Sequence, residues 1–102
     1  MRRAEIFVQG VPAGTLEESD DKKYTFTYLD RYTGPPVSLT MPLKRRSYET
    51  QGFPPFFEGL LPEGVHLNAL LRREKIDKND YFAQLVTVGA DLVGDVTVRE
   101  IE

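Results

Sequence analysis

The sequence predicts an α+β domain: a small antiparallel sheet, partly open and barrel-like, with two to three short helices in the C-terminal half. Three observations carry this. The first forty residues read as β, with runs such as 5–9 and 24–28 that alternate side chains between two faces with period two. Residues from about 56 to 88 instead space leucines and aromatics at i, i+3 and i+4. Val96-Thr97-Val98 then returns to period two, so the last strand is expected to rejoin the N-terminal sheet. A chain of 102 residues holds one domain, taken as 1–102.

The elements follow in order. In Glu5-Ile6-Phe7-Val8-Gln9, Ile6 and Val8 share one face, with Glu5, Phe7 and Gln9 on the other. Gly10, Pro12 and Gly14 punctuate a turn, and a short second run through Leu16 follows. Glu17-Glu18-Ser19-Asp20-Asp21 reads as a solvated acidic loop. Tyr24-Thr25-Phe26-Thr27-Tyr28 is the clearest strand, aromatics to one face and threonines to the other. After Gly34-Pro35-Pro36, Val37-Ser38-Leu39-Thr40 reads as one more short strand. Phe56 to Leu61 forms an apolar turn or helix stopped by Pro62, with Phe56, Leu60 and Leu61 expected inside. Leu67, Leu70 and Leu71 make the stripe of a helix from about Glu63 to Arg73, whose two arginines suit the C-terminal end of the dipole. Asp77 or Asn79 can cap a further helix that buries Tyr81, Phe82, Leu85 and Val86 and stops at Gly89. Residues 91–95 read as a turn.

Composition narrows the function. The chain is 40% hydrophobic and 28% charged, as in a folded soluble globule. It has neither a long apolar run nor the apolar core of a signal peptide, so membrane contact and export are not expected and a cytoplasmic location is. There is no cysteine, hence no disulfide and no thiolate metal site. A net charge of −3 argues against direct nucleic-acid binding, and Lys44-Arg45-Arg46 is too small a cluster to reverse that. Neither GxxxxGK[ST] nor GxGxxG occurs, so no phosphate-cradling loop is expected. The single histidine, His66, has no cysteine or second histidine to share a metal. No catalytic constellation is legible, and no enzyme, cofactor or metal is expected.

One segment stands apart. Phe53-Pro54-Pro55-Phe56-Phe57, then Leu60-Leu61-Pro62-Glu63-Gly64, packs three prolines and two glycines into residues 53–64. Such restriction fixes the path of the chain and suits a presented surface. Val65 has no partner in the i, i+3, i+4 pattern, so it either staples onto its own helix or points outward with Glu63 and His66, while Gly64 lets a partner's backbone approach.

FPPFFEGLLPEG, the leucine helix and DYFAQLVTVGADLVGDVTV together resemble the N-terminal subdomain of the HipA kinases. The matching features are Phe56 and Phe57, Leu60 to Gly64, Asp80 to Val88, Gly89 and Asp91, and Gly94 running into Val96-Thr97-Val98. The front half agrees through residues 24–28 and 37–42, so the resemblance spans essentially the whole chain. What it lacks is the catalytic core that follows in those kinases. A free-standing copy of the subdomain is similar to HipS, the small antitoxins of three-part HipBST systems. That resemblance implies a HipT-like serine/threonine kinase toxin as the partner to be bound and inhibited, with a HipB-like helix-turn-helix protein as a third member. The alternative it leaves open is a bracing subdomain cut from a longer HipA-type kinase. The partner-binding residues expected are Glu63, Gly64, Val65 and His66.

Overall fold

A computed structural model describes residues 2–92 and 94–101. Five strands form one antiparallel sheet in the order β4-β3-β2-β1-β5: β1 (Arg2–Val8), β2 (Val11–Glu18), β3 (Lys23–Tyr28), β4 (Ser47–Gln51) and β5 (Val96–Ile101). Three helices, α1 (Pro55–Glu58), α2 (Gly64–Glu74) and α3 (Tyr81–Val88), lie between β4 and β5, followed by a 3₁₀ turn at Gly89–Asp91.

Period-two patterning sets the faces of the sheet. Ala4, Ile6, Val8, Leu16, Tyr24, Phe26, Tyr28, Val96 and Val98 are buried on one side. The opposite face carries Glu5, Thr15, Thr27 and Arg99, which the strand pairing sets in one row. Such a polar face on an antiparallel sheet tolerates water. Gln9-Gly10 closes the first hairpin, and a register shift between Ile6 and Phe7 places Pro12 opposite Phe7, where its missing N–H is tolerated. The last strand does rejoin the sheet, with Ile6 opposite Val98 and Val8 opposite Val96. Gly89 makes this closure tight: a Cβ there would lie 2.1 Å from the Val98 carbonyl oxygen.

Over this face the helices lay Phe57, Phe82 and Leu85, all fully buried. The Phe57 ring sits 5.8 Å from that of Phe26. Pro55 occupies the first turn of α1, and the register it sets turns Phe57 inward. Phe56, Leu60 and Leu61, expected inside, are instead half-buried at the margin of the core.

The expected strand at 37–40 is not formed. Prolines at 35, 36 and 42 remove the donors a ladder needs. The segment is held by Tyr28 instead, whose hydroxyl accepts from the Val37 N–H at 2.9 Å and donates to the Met41 carbonyl at 2.6 Å. Tyr32 stacks on Tyr28 at 5.9 Å, and Leu39 is left 94% exposed at the tip. The fourth strand is Ser47–Gln51, which pairs with β3 and places Tyr48 opposite Phe26.

The acidic stretch also divides differently from expectation. Glu17 and Glu18 belong to β2, and only Ser19 to Lys22 form the turn. Asp80 is the residue that caps α3, accepting from the Ala83 N–H at 3.1 Å. Asp77 instead closes the preceding turn by accepting from the Asn79 N–H at 2.8 Å. Of the expected α3 stripe, Phe82 and Leu85 are buried while Tyr81 and Val86 are half-buried. Val93, within the turn expected over 91–95, lies outside the described residues; beside it, the Gln9 N–H donates to the Asp95 carbonyl at 2.8 Å.

Candidate functional site: the α2 ledge

The four residues singled out by sequence all stand at the entry to α2, and all are exposed. Pro62 ends the preceding segment, Glu63 is the extended residue before the helix, and Gly64 begins it with φ +59°. That left-handed value is one a residue with a Cβ rarely adopts. Val65 follows at 77% exposure, so it does not staple onto its own helix. His66 does not share its direction. It lines a cleft of about 700 Å³ between α2, the segment Gly59–Pro62 and the end of α3. Leu60, Leu61, Leu70, Val88 and Leu92 also line this cleft, with Arg73 on the α2 side and Asp91 on the other. One helix therefore offers two adjoining surfaces: an outward one led by Val65, and a cleft edge carrying His66, Ala69, Leu70 and Arg73.

α2 is poorly anchored. Leu70 is its one buried residue, while Leu67 and Leu71, expected to face the core, are half-buried. Its first turn has neither an acidic residue nor a side-chain cap. Its last turn is better made: Arg72 and Arg73 suit the dipole, and Lys75 closes it in the left-handed conformation with its N–H on the Leu71 carbonyl. An eleven-residue helix is marginal without tertiary packing, and here that packing is one leucine deep.

By contrast, α3 is held to the sheet by a network that sequence reasoning missed. Arg2 donates to both oxygens of Glu18, from Nε at 2.7 Å and Nη2 at 2.9 Å. It also donates to both oxygens of Asp80, from Nη1 at 3.1 Å and Nη2 at 2.9 Å. Its guanidinium lies 4.9 Å from the Phe82 ring centroid, and the Tyr24 hydroxyl donates to Glu18 Oε2 at 2.5 Å. Desolvation pushes the Glu18 carboxyl upward, yet the Arg2 and Tyr24 hydrogen bonds prevail and hold it below the usual carboxylate range. Asp80 follows the same pattern: burial raises it, but the Arg2 hydrogen bond and the Ala83 N–H bring it below its ordinary value. Desolvation, reinforced by the hydrogen bond to Glu18, pushes the Tyr24 phenol up. With both carboxylates ionised and matched by one guanidinium, this is a brace and not an acid–base pair poised for chemistry.

Other candidates resolve into structure. Arg46 donates to the carbonyls of Leu29 and Tyr32, and Arg45 to that of Ser47 while lying over Tyr48. Among the described residues no three His, Asp or Glu side chains converge as a metal-binding group, and no helix is long and apolar enough to cross a membrane.

Comparison with known proteins places this architecture. The family model for the HipA N-terminal domain matches residues 4–99. A solved N-terminal domain of HipA toxin superposes with a TM-score of 0.80 at 26% identity, covering 100% of this chain and 94% of that one. A Haemophilus influenzae protein named only "Uncharacterized protein" is 30% identical over 98% of this chain and 93% of its own length. The Sinorhizobium fredii protein "Putative kinase Y4dM" is 31% identical over 96% of this chain, which spans only 26% of that protein. The family match over residues 4–99 and the superposition along the whole chain agree: the chain belongs to the HipA N-terminal domain family.

Proposed function

We propose that this protein is an antitoxin of the HipS type, which binds a HipT-like serine/threonine kinase lacking this subdomain and holds it inactive. The observation that carries the reading is α2, a helix presented at the end of a stiff segment with Val65 77% exposed and one buried residue to anchor it. The surface area agrees: 6610 Å² is about 800 Å² more than the roughly 5,800 Å² that size scaling gives a compact 11.6 kDa monomer. The family is compatible with a unit that works both within a kinase chain and apart from one, because it forms about a quarter of the relative named as a kinase and nearly the whole of a small Haemophilus relative. In this reading Val65 enters an apolar pocket of the kinase with Glu63 making polar contacts beside it, His66 meets the partner along the adjoining cleft edge, and Gly64 admits the partner's backbone. Tertiary contacts missing from α2 in the free protein are then supplied by the partner.

The test is co-expression. A HipA-like kinase without this subdomain should arrest growth, and equimolar soluble protein should relieve the arrest. Undiminished toxicity with the antitoxin demonstrably soluble would sink the proposal. A second reading rests on the kinase relative, in which this unit is one part of a longer chain: the domain braces a catalytic core. In that case adding it to such a kinase raises activity instead of lowering it.

A further inference from the structure

Beside β4, lined by none of the residues of the α2 cleft, lies a groove of about 350 Å³. Its apolar walls are Met41, Tyr48, Pro54, Pro55 and Phe56, and its polar lining includes Arg45 and Glu49 beside two threonines. The geometry points to a docking groove for a proline-rich segment in the polyproline II conformation, with a cationic residue at one end. This inference is independent of the kinase partner proposed above.

Three features select that occupant. Aromatic rings and prolines make flat, rigid walls of the kind that accept proline rings, which are themselves pre-shaped and lose little entropy on docking. The walls are fixed before any ligand arrives. The Tyr48 hydroxyl is tied to the Pro42 carbonyl at 2.6 Å, and the Phe56 ring stands edge-on to Phe57 at 5.1 Å. Met41 is buried, and its carbonyl is held by Tyr28. Preorganisation of this kind lowers the cost of binding.

The polar groups complement the backbone and charge of such a ligand. A polyproline II chain makes no internal hydrogen bonds, so its carbonyls seek outside donors. Arg45 lies 5.2 Å from the Tyr48 ring centroid with Nε on the Ser47 carbonyl, and its other guanidinium N–H groups are donors of the right kind. Glu49 is the one carboxylate lining the groove; its side chain is 60% exposed and loosely matched by Lys23 at 3.8 Å, so a ligand cation can compete for it.

The experiment is a titration of the isotope-labelled full chain with two short capped peptides of alternating proline and leucine, one ending in arginine and one in glutamate. Saturating amide shifts are expected at Tyr48, Glu49, Thr50 and Phe56 with the arginine peptide. The glutamate peptide should bind about threefold to fivefold more weakly, the worth of one exposed ion pair. Glu49→Lys, at an exposed position that leaves the fold intact, should reverse that order. No saturating shift at millimolar peptide, shifts centred on α2, or an unchanged order of preference in Glu49→Lys would each overturn the inference.

Discussion

Arg2 ties α3 to the sheet through Glu18 and Asp80, although it stands at the start of the first strand. Arg2→Met keeps most of the aliphatic stem and the contact with Phe82 but deletes the guanidinium. Glu18, with its side chain only 7% exposed, then keeps the Tyr24 hydroxyl and Lys22 at 3.8 Å. Breaking a buried ion pair by removing one partner costs about 3–5 kcal/mol. Here Arg2 and Asp80 are 32% and 33% exposed, so water recovers part of that, and about 2–3 kcal/mol is the expected loss. For a domain of this size that lowers Tm by roughly 10 °C. Urea unfolding followed by far-ultraviolet circular dichroism measures it, since the chain has no tryptophan. Adding Glu18→Gln to Arg2→Met should regain about 1 kcal/mol, because the second change removes the stranded charge. The pH dependence has a defined sign. Glu18 and Asp80 are held below their ordinary values, so their contribution is full above about pH 5, begins to fall as pH drops through the ordinary carboxylate range, and is lost as pH falls through the folded values. Arg2→Met should flatten that acid limb. A variant within about 0.5 kcal/mol of the parent, with an unchanged acid limb, would refute the brace.

Tyr28→Phe removes the hydroxyl that ties Val37 to Met41 and should cost about 1–3 kcal/mol, with hydrogen exchange at the Val37 amide accelerated more than at core strand amides. Gly89→Ala puts a methyl against the Val98 carbonyl, where backbone must move; a loss of about 1–3 kcal/mol in thermal unfolding is expected, and an unchanged Tm would contradict that closure. Val65→Glu, at a position 77% exposed, should shift stability by less than about 0.5 kcal/mol while weakening kinase binding about tenfold or more in a calorimetric titration.

The parts of this fold legible in the sequence are those where a local pattern and the tertiary outcome coincide. Tyr24-Thr25-Phe26-Thr27-Tyr28 could satisfy its aromatics only on a sheet with one buried face, and Val96-Thr97-Val98 could bury its valines only by returning to that sheet. The β4 segment Ser47-Tyr48-Glu49-Thr50-Gln51 was illegible because its strand character comes from pairing with β3 and not from apolar content. The stretch at 37–40 misleads for the opposite reason: it has the composition of a strand, but prolines and the Tyr28 hydroxyl commit its backbone elsewhere. Glu18 looked like a loop acid because its neutralising partner is sixteen residues away, a distance no local pattern spans. A signal was present in the alternation of β2, since Glu18 falls on the same face as Leu16. At the candidate site, the place of Val65 off the leucine stripe left the staple and the outward setting both open, and its 77% exposure decides for the outward one. The turn of His66 into the cleft was not legible, because that cleft is built by Leu60, Leu61 and the distant Val88 and Leu92.

On the proposed function, α2 presents a kinase-inhibiting surface. Its most direct test is phosphate incorporation by a purified HipA-like kinase lacking this subdomain, titrated with this protein and with Val65→Glu. Activity should fall to background near one equivalent of the parent protein, while Val65→Glu should require about tenfold more or fail to inhibit. Kinase activity that is unchanged or raised by the parent protein, or inhibited equally well by Val65→Glu, would contradict the account.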